Sequence, residues 1–475
     1  MRIAALAVFL AASPSALSSS PPVAQVRPPN FIVIFTDDQG YGDLSSYGHP
    51  TIRTPHLDRM AAEGQRWTSF YSAASVCTPS RAGLLSGRLP VRSGMTSEGP
   101  TANRVLFPNS AGGLPPEEIT IAEVLKPRGY ATAAIGKWHL GHRSQFLPMR
   151  QGFDTYYGIP YSNDMDWTGA GLSGEESRAR MMNPLIEYWN VPLMRDETII
   201  EQPAEQTTLT RRYTDEAIAF ARTHRDRPFF IYLAHSMPHM PLFRTREFAG
   251  RSLAGRYGDV IEEIDANVGR LVETLRELKI DRHTLVVFTS DNGPWAVYNE
   301  QGGSAGMLRG AKGGTFEGGM RVPAIFSWPG TISSAVVTGI GSTLDLLPTF
   351  AALGGVEVPR DRELDGFDLS PALRGSAPSP RNSMFFYRGA SVFALRHGSF
   401  KGHFVTRAEY GADTVKTHET PLLYNLDVDP GEKYDIGTQH PEVIAELQKM
   451  LAEHRNAVKP SPSRLAERLP AQKTR

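Results

Sequence analysis

Four short apolar runs set the strongest limit on what this chain of 475 residues can fold into. None of the runs alternates with polar residues, so each suits a strand that is buried on both faces of a parallel sheet. Segments with helical character separate the runs, as in folds whose sheet is covered by helices on both faces. The sequence therefore predicts an α/β fold with a large mixed, mostly parallel sheet sandwiched by helices. The runs are Phe31–Phe35, Ala131–Ile135, Phe229–Leu233 and Thr284–Thr289, and the helical segments are Pro55–Glu63, Glu117–Lys126, Leu209–His224 and Gly258–Leu278.

Polar and charged side chains follow each of the four runs. Ligands of open α/β sheets bind outside the carboxyl ends of the strands, so we expect these side chains to line one site. A single Asp or His after a strand is as easily an ordinary loop residue. Four strands that end in this way indicate a functional edge of the sheet. The residues are Asp37, Asp38, Lys137, His139, His235, His239, Asp291 and Asn292.

Two of the strand ends carry oxygen ligands in pairs. Asp37 and Asp38 follow the first run, and Asp291 and Asn292 follow the last. A set of hard oxygen donors without cysteine favours Ca²⁺ or Mg²⁺ over Zn²⁺. The alternative is that Asp37 and Asp38 cap a helix or turn. The two pairs together favour a metal site.

Cys77 is the only cysteine of the chain and stands in the run Cys77-Thr78-Pro79-Ser80-Arg81. A lone cysteine is usually a small buried hydrophobe. Here the proline suits a first helical turn, where backbone N–H groups and the Arg81 cation would face an anion. The run therefore predicts an anion site with a reactive atom at its centre.

Two other patterns have alternative interpretations. Gly302-Gly303-Ser304-Ala305-Gly306 fits G-x-S-x-G, but it lacks the preceding strand and following helix of a serine hydrolase. His235 and His239 have the spacing of zinc ligands on a helix, which Pro238 and the missing glutamate disfavour, so we interpret them as loop donors. The glycines around Lys312 let the backbone approach a ligand while Lys312 presents a charge, although a plain solvated lysine is the alternative.

The C-terminal third predicts a smaller domain. A Pro/Gly/Ser stretch ends the first domain, which we place at residues 28–375, and short strand candidates begin a second α+β domain at 380–457. These strands are expected to form an antiparallel sheet, followed by a helix. The basic tail, residues 458–475, is predicted to be disordered, with a contact arm as the alternative. The elements are strands Ser383–Tyr387, Val392–Arg396 and Leu422–Leu426 and helix Pro441–His454.

The N-terminus and the net charge bear on location and partners. Residues 1–24 have the order of charge, apolar run and small residues that is typical of a secretory signal, and no later segment predicts an integral membrane helix. Fifty basic residues balance fifty acidic ones, so nothing indicates nucleic acid as a partner. We expect an exported protein whose anion selectivity is local.

These motifs resemble those of the sulfatase family. Cys77-Thr78-Pro79-Ser80-Arg81 with Gly87-Arg88 is similar to one family signature, and Gly136-Lys137-Trp138-His139-Leu140-Gly141 to the other. The similarity runs from Pro28 through Asp37 to Asp43 and on to the segments that start at Leu422 and Asp429. It implies an alkaline-phosphatase-like fold and oxidation of Cys77 by a maturation enzyme to formylglycine, whose hydrate is the nucleophile.

The resemblance also implies roles for the other residues. Calcium, with magnesium as the less favoured ion, would be held by Asp37, Asp38, Asp291 and Asn292 together with residue 77. Arg81, Lys137, Lys312 and His239 would neutralise the sulfuryl oxygens, and Ser162 would be a further sulfate contact. His239, aided by Asp291, or Lys312 would protonate the leaving alcohol. His139 would take the proton of the second hydroxyl as sulfate leaves.

Departures from the animal enzymes of this family keep some alternatives open. The chain has one cysteine and no N-x-S/T sequon, which favours a bacterial periplasmic or secreted protein over a lysosomal one. Residues 164–205 show little resemblance to the family and could shape the leaving-group pocket. The substrate could therefore be an aryl, sugar or sugar-lipid sulfate. Homo-oligomerisation also stays open. Two other functions remain: a phosphate or phosphonate ester hydrolase of the same superfamily, and a non-catalytic sulfate-binding protein with an unmodified Cys77.

Overall fold

The four apolar runs form neighbouring strands at the centre of one sheet. The computed structural model describes residues 27–97, 103–169, 171–409 and 414–470, together with Ala4 and Ala7. Within these residues the strands are β1 Asn30–Thr36, β2 Gln65–Tyr71, β3 Ala131–Gly136, β4 Thr155–Gly158, β5 Leu193–Arg195, β6 Thr198–Glu201, β7 Phe229–Ala234, β8 Thr284–Ser290, β9 Ala324–Ser327, β10 Ala335–Ser342, β11 Ser383–Arg388, β12 Ser391–His397, β13 Phe400–Thr406 and β14 Lys416–Asn425. The α-helices are α1 Pro55–Glu63, α2 Cys77–Ser86, α3 Ile121–Leu125, α4 Gly174–Met182, α5 Leu209–Thr223, α6 Gly255–Glu277, α7 Glu317–Met320, α8 Leu346–Gly354, α9 Ser370–Leu373 and α10 Pro441–Ala457.

The large sheet is mixed, with a parallel centre. Its strands in the described residues lie in the order β10-β2-β9-β8-β1-β7-β3-β4-β5-β6. Strand β1 pairs in parallel with β7 and β8, and β3 pairs in parallel with β7 and β4, whereas β5, β6 and β9 run antiparallel to their neighbours. Every residue of β1, β3, β7 and β8 is buried, as continuous apolar runs require. The predicted α/β fold is confirmed.

Helices cover both faces of this sheet. On one face α1, α5 and α6 bury residues such as Leu57, Leu209 and Ile264 in a common core. On the other face α2, α3 and α8 bury residues such as Leu85 and Phe350. The predicted helix at 117–126 is wrong in its start: α3 begins after Thr120, because the Thr120 side chain and Glu123 form a reciprocal capping box there.

A second sheet follows in the C-terminal part, as predicted. Among the described residues, β11, β12, β13 and β14 form an antiparallel sheet in sequence order, and α10 packs on it through Leu447 and Leu451. Strand β13 was not expected, because its buried Lys401 and His403 hide the apolar pattern. Strand β14 begins six residues before the predicted Leu422, since its first half is largely exposed and carries no apolar signal.

Residues 461–469 of the C-terminal segment bind to the rest of the chain. Ser463 Oγ donates to the Thr96 carbonyl at 2.7 Å and the Arg464 N–H to the Gly94 carbonyl at 2.8 Å. Leu465 is 1% exposed in the core beneath α2. The predicted disorder is therefore wrong for residues 459–470, which form a contact arm on the larger domain because their apolar and backbone groups find partners there.

Some predicted segments lie outside the described residues. The signal segment at 1–24 and the last five residues, 471–475, lie outside the described ranges apart from Ala4 and Ala7. The domain limits 28–375 and 380–457 stay a prediction. Across the described ranges, no helix is long and apolar enough to cross a membrane.

The arm can be tested with two Leu→Ala variants. Leu465→Ala should lower the free energy of unfolding by about 2–5 kcal/mol, because it leaves a cavity in the core. Leu253→Ala, at a side chain that is 76% exposed, should change it by about 0.5 kcal/mol or less. Urea unfolding followed by circular dichroism measures both, and equal small losses would contradict docking of the arm.

A buried carboxyl in α6 makes stability depend on pH. Glu263 Oε2 accepts the Thr245 N–H at 2.9 Å, and burial raises the pKa of Glu263 to about 7, although the Thr245 contacts oppose the shift. The folded protein thus holds this proton more tightly than the unfolded chain, so stability is lost as the pH rises from about 4.5 to about 7.

Glu263→Gln should remove that loss and keep the hydrogen bond. The difference in free energy of unfolding between the variant and the wild type should favour the variant by about 1–3 kcal/mol more at pH 8 than at pH 5. Urea unfolding at the two pH values gives this difference. A variant that tracks the wild type at both would show that Glu263 is ionised throughout.

Candidate active site

The carboxyl ends of β1, β3, β7 and β8 meet at one edge of the large sheet. Because these strands are neighbours and parallel, the residues that follow them converge, as the sequence predicts. Ser162 joins them from the segment after β4, and Lys312 from a glycine-rich loop. The residues brought together in this way are Asp37, Asp38, Lys137, His139, Ser162, His239, Asp291, Asn292 and Lys312.

Asp37 lies between two cations. Its Oδ2 accepts a hydrogen bond from Lys137 Nζ at 2.5 Å and lies 3.6 Å from Arg81 Nη2. Its Oδ1 lies 3.4 Å from Cys77 Sγ. Burial alone would raise the pKa of Asp37, but Lys137 and Arg81 hold it well below its usual range. Asp37 is therefore charged in a site that is closed to solvent.

Asp38 and Asp291 are linked to each other. The Asp38 N–H donates to Asp291 Oδ1 at 3.1 Å, and Asn292 Nδ2 donates to Asp38 Oδ1 at 2.7 Å. Lys312 Nζ donates to Asp38 Oδ2 at 2.6 Å. Burial raises the pKa of Asp38 against the effect of Lys312, and burial together with Asp37 raises the pKa of Asp291.

Arg81 uses its donors within the protein. Its Nε and Nη2 donate to Asp291 Oδ2 at 3.1 and 2.8 Å, and its Nη1 donates to the Lys137 carbonyl at 2.9 Å. The guanidinium also lies over the Phe35 ring at 5.4 Å. Arg81 thus holds a carboxylate and the start of the β3 loop in place.

Cys77 is the first residue of α2, where the helix N-terminus favours negative charge. The helix begins here because Val76 is extended and Pro79 fits the first turn, and it ends at Gly87, whose φ of 65° lies in the left-handed region. Cys77 is 1% exposed, and its Sγ lies 3.9 Å from Asp38 Oδ1. Burial raises the pKa of the Cys77 thiol in spite of Lys137 and Lys312.

The two predicted catalytic histidines lie on different sides of the carboxylates. His139 Nε2 lies 2.9 Å from the Leu106 carbonyl, and its Nδ1 has no partner among the described residues. His239 Nδ1 lies 2.5 Å from the Met240 carbonyl, and its Nε2 lies 3.5 Å from Asp38 Oδ2. Burial, with nearby lysines, lowers the pKa of both rings well below the usual value, so both are neutral bases or hydrogen-bond donors here.

His235 and Ser304 take no part in the contacts described above. His235 is buried with neither ring nitrogen bonded within the described chain, and its ring centroid lies 6.3 Å from that of Tyr213. The expectation that His235 is a donor in this site stays a prediction. Ser304 lies in an irregular loop with its carbonyl against Gly42, not at a strand-to-helix turn.

Two contributors escaped the sequence analysis. Asp43 is buried and accepts hydrogen bonds from the Gly40 N–H, the Tyr257 hydroxyl and the Ser304 N–H, which fixes the loop that carries Asp37 and Asp38. Trp295 lies 4.3 Å from Lys312 Nζ and 5.0 Å from the His239 ring. The available signal for Trp295 was its place just after the Asp291-Asn292 pair.

The residues present fit a hard dication. Ligand atoms of Asp37, Asp38, Cys77 and His239 lie within 4.8 Å of one another. Asn292 Oδ1 is buried and has no partner in the described part of the chain, which suits an amide oxygen that awaits a ligand. Three carboxylates, those of Asp37, Asp38 and Asp291, face three cations, so the pocket is close to neutral. A bound dication would make it positive and ready for an anion.

The sheet thus carries an anion site at its carboxyl edge, and comparison with known proteins identifies the family. The family model "Sulfatase" matches residues 29–356, and the model for the C-terminal region of aryl-sulfatase matches residues 379–474. The chain belongs to the sulfatase family.

Its relatives support this assignment. Arylsulfatase A from Homo sapiens is 44% identical over 483 residues, which cover 94% of this chain and 92% of that protein. N-acetylgalactosamine-6-sulfatase from Sus scrofa is 40% identical over 92% of this chain and 88% of its own length. The crystal structure of PsFucS1 sulfatase from Pseudoalteromonas sp. superposes with a TM-score of 0.79 and 31% identity, covering 90% of each chain. The chain is an enzyme of the sulfate ester hydrolase class.

Proposed function

We propose that this enzyme hydrolyses sulfate monoesters with a formylglycine made from Cys77 as nucleophile and with a bound calcium ion. The observation that carries the proposal is the position of Cys77, with its Sγ 3.4 Å from Asp37 Oδ1 and 3.9 Å from Asp38 Oδ1, at the start of a helix. A reactive group at this position faces a helix N-terminus, carboxylate ligands and lysines together. Membership of the sulfatase family supports the reaction.

The metal site would use the acidic strand ends. Asp37, Asp38, Asp291 and the amide oxygen of Asn292 would hold calcium beside residue 77, and the ion would supply positive charge for a sulfate oxygen and for an ionised hydroxyl. Arg81 keeps Asp291 oriented through its paired contacts. Lys137 donates to Asp37 and Lys312 donates to Asp38, so both lysines present their charge toward the same pocket.

The cations and Ser162 would bind the sulfate group. Lys137 Nζ also donates to Ser162 Oγ at 2.9 Å, so the two side chains form one polar wall. Lys312 and His239 lie on the Asp38 side, and both contact the Trp295 ring. As charge shifts onto the sulfuryl and ester oxygens, donors fixed in a pocket closed to water stabilise it without reorganisation.

Proton transfers fall to the histidines and Lys312. When the formylglycine hydrate is present, one of its hydroxyls attacks sulfur and the second provides the route by which sulfate is later expelled. His239, aided by Asp291, or Lys312 would deliver the proton to the leaving alcohol. His139, whose Nδ1 has no partner within the described residues, would accept the proton of the second hydroxyl.

Residues 164–205 would form the leaving-group side of the pocket. Arg178 Nη2 donates to the Val297 carbonyl at 2.7 Å, and Gln301 Nε2 lies 3.3 Å from the Met182 carbonyl, so α4 braces the segment that carries Trp295. Asp164 lies nearby, and burial raises its pKa. We assign the choice among aryl, sugar and sugar-lipid sulfates to this segment.

Three further parts of the proposal concern the protein in the cell. The N-terminal sequence supports export. The chain has one cysteine and no N-x-S/T sequon, which supports a bacterial periplasmic or secreted location. A maturation enzyme would act on Cys77. No homo-oligomer contact is part of the proposed mechanism.

A pair of assays tests the reaction class. Purified enzyme should turn over nitrophenyl sulfate faster than nitrophenyl phosphate, and Cys77→Ala should lower sulfate turnover by at least about 10³-fold with its melting temperature nearly unchanged. Faster phosphate turnover would favour a phosphate or phosphonate ester hydrolase instead.

Mass spectrometry of the tryptic peptide that contains Cys77 tests the nucleophile. Active enzyme should show replacement of the thiol by an aldehyde or its hydrate. An unmodified thiol in fully active protein would overturn the formylglycine mechanism, and an unmodified thiol in inactive protein that binds sulfate would point to a binding protein.

Chelation tests the metal. Removing divalent ions should lower the melting temperature, and calcium at about 100 times its Kd should restore about 2.7 kcal/mol of stability. Magnesium should restore less. Asn292→Ala should weaken the calcium response, whereas Asn183→Ala, outside the site, should leave it intact. An unchanged melting curve after chelation would argue against a resident ion.

A further inference from the structure

A buried ionic cluster joins the two domains next to the proposed sulfate site. Glu317 Oε1 accepts Lys401 Nζ at 3.0 Å, and its Oε2 accepts the Tyr71 hydroxyl at 2.6 Å and Arg321 Nη1 at 3.2 Å. Glu432 Oε1 lies 3.1 Å from the same Lys401 Nζ. Glu317, Lys401 and Glu432 are completely buried, so these charges depend on each other for compensation.

Glu432 comes from the turn Asp429-Pro430-Gly431-Glu432 after β14. Its φ of 50° lies in the left-handed region, which a non-glycine residue adopts at a cost. Asp429 holds the turn: its carbonyl accepts the Glu432 N–H at 3.1 Å, and its Oδ2 accepts the Lys433 N–H at 2.8 Å. The turn therefore presents the Glu432 carboxylate in one direction, toward the larger domain.

Glu432 forms hydrogen bonds with both ends of the loop that carries Lys312. At one end its carbonyl accepts Arg309 Nη1 at 2.9 Å, and at the other its Oε2 accepts the Glu317 N–H at 2.6 Å. The Arg309 guanidinium lies 3.9 Å from the centre of the Phe316 ring, which closes the loop. His403 Nε2 lies 2.6 Å from Glu432 Oε1 and orients the carboxylate.

The opposite side of this loop faces the active site. The Lys312 N–H donates to the Pro294 carbonyl at 2.9 Å, and the Gly313 N–H donates to the Ser75 carbonyl at 2.7 Å, two residues before Cys77. Lys312 Nζ reaches Asp38 at 2.6 Å. The loop thus lies between the C-terminal domain and the segments that carry the proposed nucleophile and metal ligands.

The composition of the loop explains why it needs an anchor. Gly310 and Gly313 have φ values of 82° and 86°, so the loop adopts a shape that only glycine reaches easily. Such a segment has high conformational entropy when free. Fixing its two ends removes that freedom before the substrate binds, which raises the fraction of enzyme with Lys312 in place.

We propose that Glu432 is a positioning residue for Lys312, so that the C-terminal domain takes part in sulfate binding through the loop at 309–317. The inference rests on the proposed role of Lys312 toward sulfate. It assigns a role to the turn Asp429-Pro430-Gly431-Glu432, which lies outside the pocket and touches no reacting atom.

A double-mutant cycle tests this assignment. Glu432→Gln and Lys312→Ala are made singly and together, and kcat and KM for nitrophenyl sulfate and the inhibition constant of inorganic sulfate are measured. Glu432→Gln should lower kcat/KM by about 10- to 100-fold and weaken sulfate inhibition. In the Lys312→Ala background the same change should have less than about a threefold effect, because Glu432 is proposed to act on sulfate only by placing Lys312.

Two variants separate positioning from general instability. Arg309→Met removes the other anchor of the loop at an exposed residue, and it should reproduce the loss and the non-additivity even where Glu432→Gln folds poorly. Arg381→Gln breaks the buried Arg381–Asp345 ion pair, which joins the domains away from this loop. That control should lower the melting temperature while the sulfate inhibition constant stays at the wild-type value.

Each result bears on one proposal. Wild-type kinetics in both Glu432→Gln and Arg309→Met, or equal losses with and without Lys312, would overturn the positioning role. A wild-type enzyme that fails to hydrolyse nitrophenyl sulfate would count against the proposed function alone. In that case calorimetric titration with inorganic sulfate still decides the positioning role, which requires weaker binding in Glu432→Gln and Arg309→Met.

Discussion

The carboxylates of Asp37, Asp38 and Asp291 are buried within a few ångströms of each other, and they are tolerable only because Arg81, Lys137 and Lys312 lie between and beside them. Unpaired, each charge would carry a desolvation cost of several kcal/mol. The three cations come from α2, from the end of β3 and from a distant loop. The alternation of charge is therefore possible only when the parallel register of the central strands is correct, which links the fold directly to the chemistry of the pocket.

Much of this arrangement could be predicted because it follows from local pattern and one topological rule. Fully buried parallel strands have continuous apolar sequences, and their carboxyl ends share an edge, so Asp37 and Asp291 could be placed together before any coordinates. The rule does not decide the role of His235, although it follows β7 directly. Which way a side chain points after a strand depends on the next few backbone angles, and these depend on packing rather than on composition.

The parts that escaped prediction are those held by partners far along the chain. Strand β13 looked polar because Lys401 and His403 are buried against carboxylates of two separate segments. The arm at 459–470 looked disordered because its single buried leucine is surrounded by polar residues that satisfy their backbone groups on loops near residue 94 and residue 110. Asp43 and Glu432 received no site prediction from the sequence. Their effect on the pocket comes from what they touch across the fold.

The contact between Arg81 and Asp291 can form only late in the synthesis of the chain. The two residues are 210 positions apart, and at roughly 5–20 residues per second a ribosome takes about 10–40 s to make that stretch. During this interval β8 and the Lys312 loop do not exist, so the native walls around residue 77 cannot form. The pocket around Cys77 therefore stays incomplete until β8, which directly precedes Asp291, has been made and has joined the sheet.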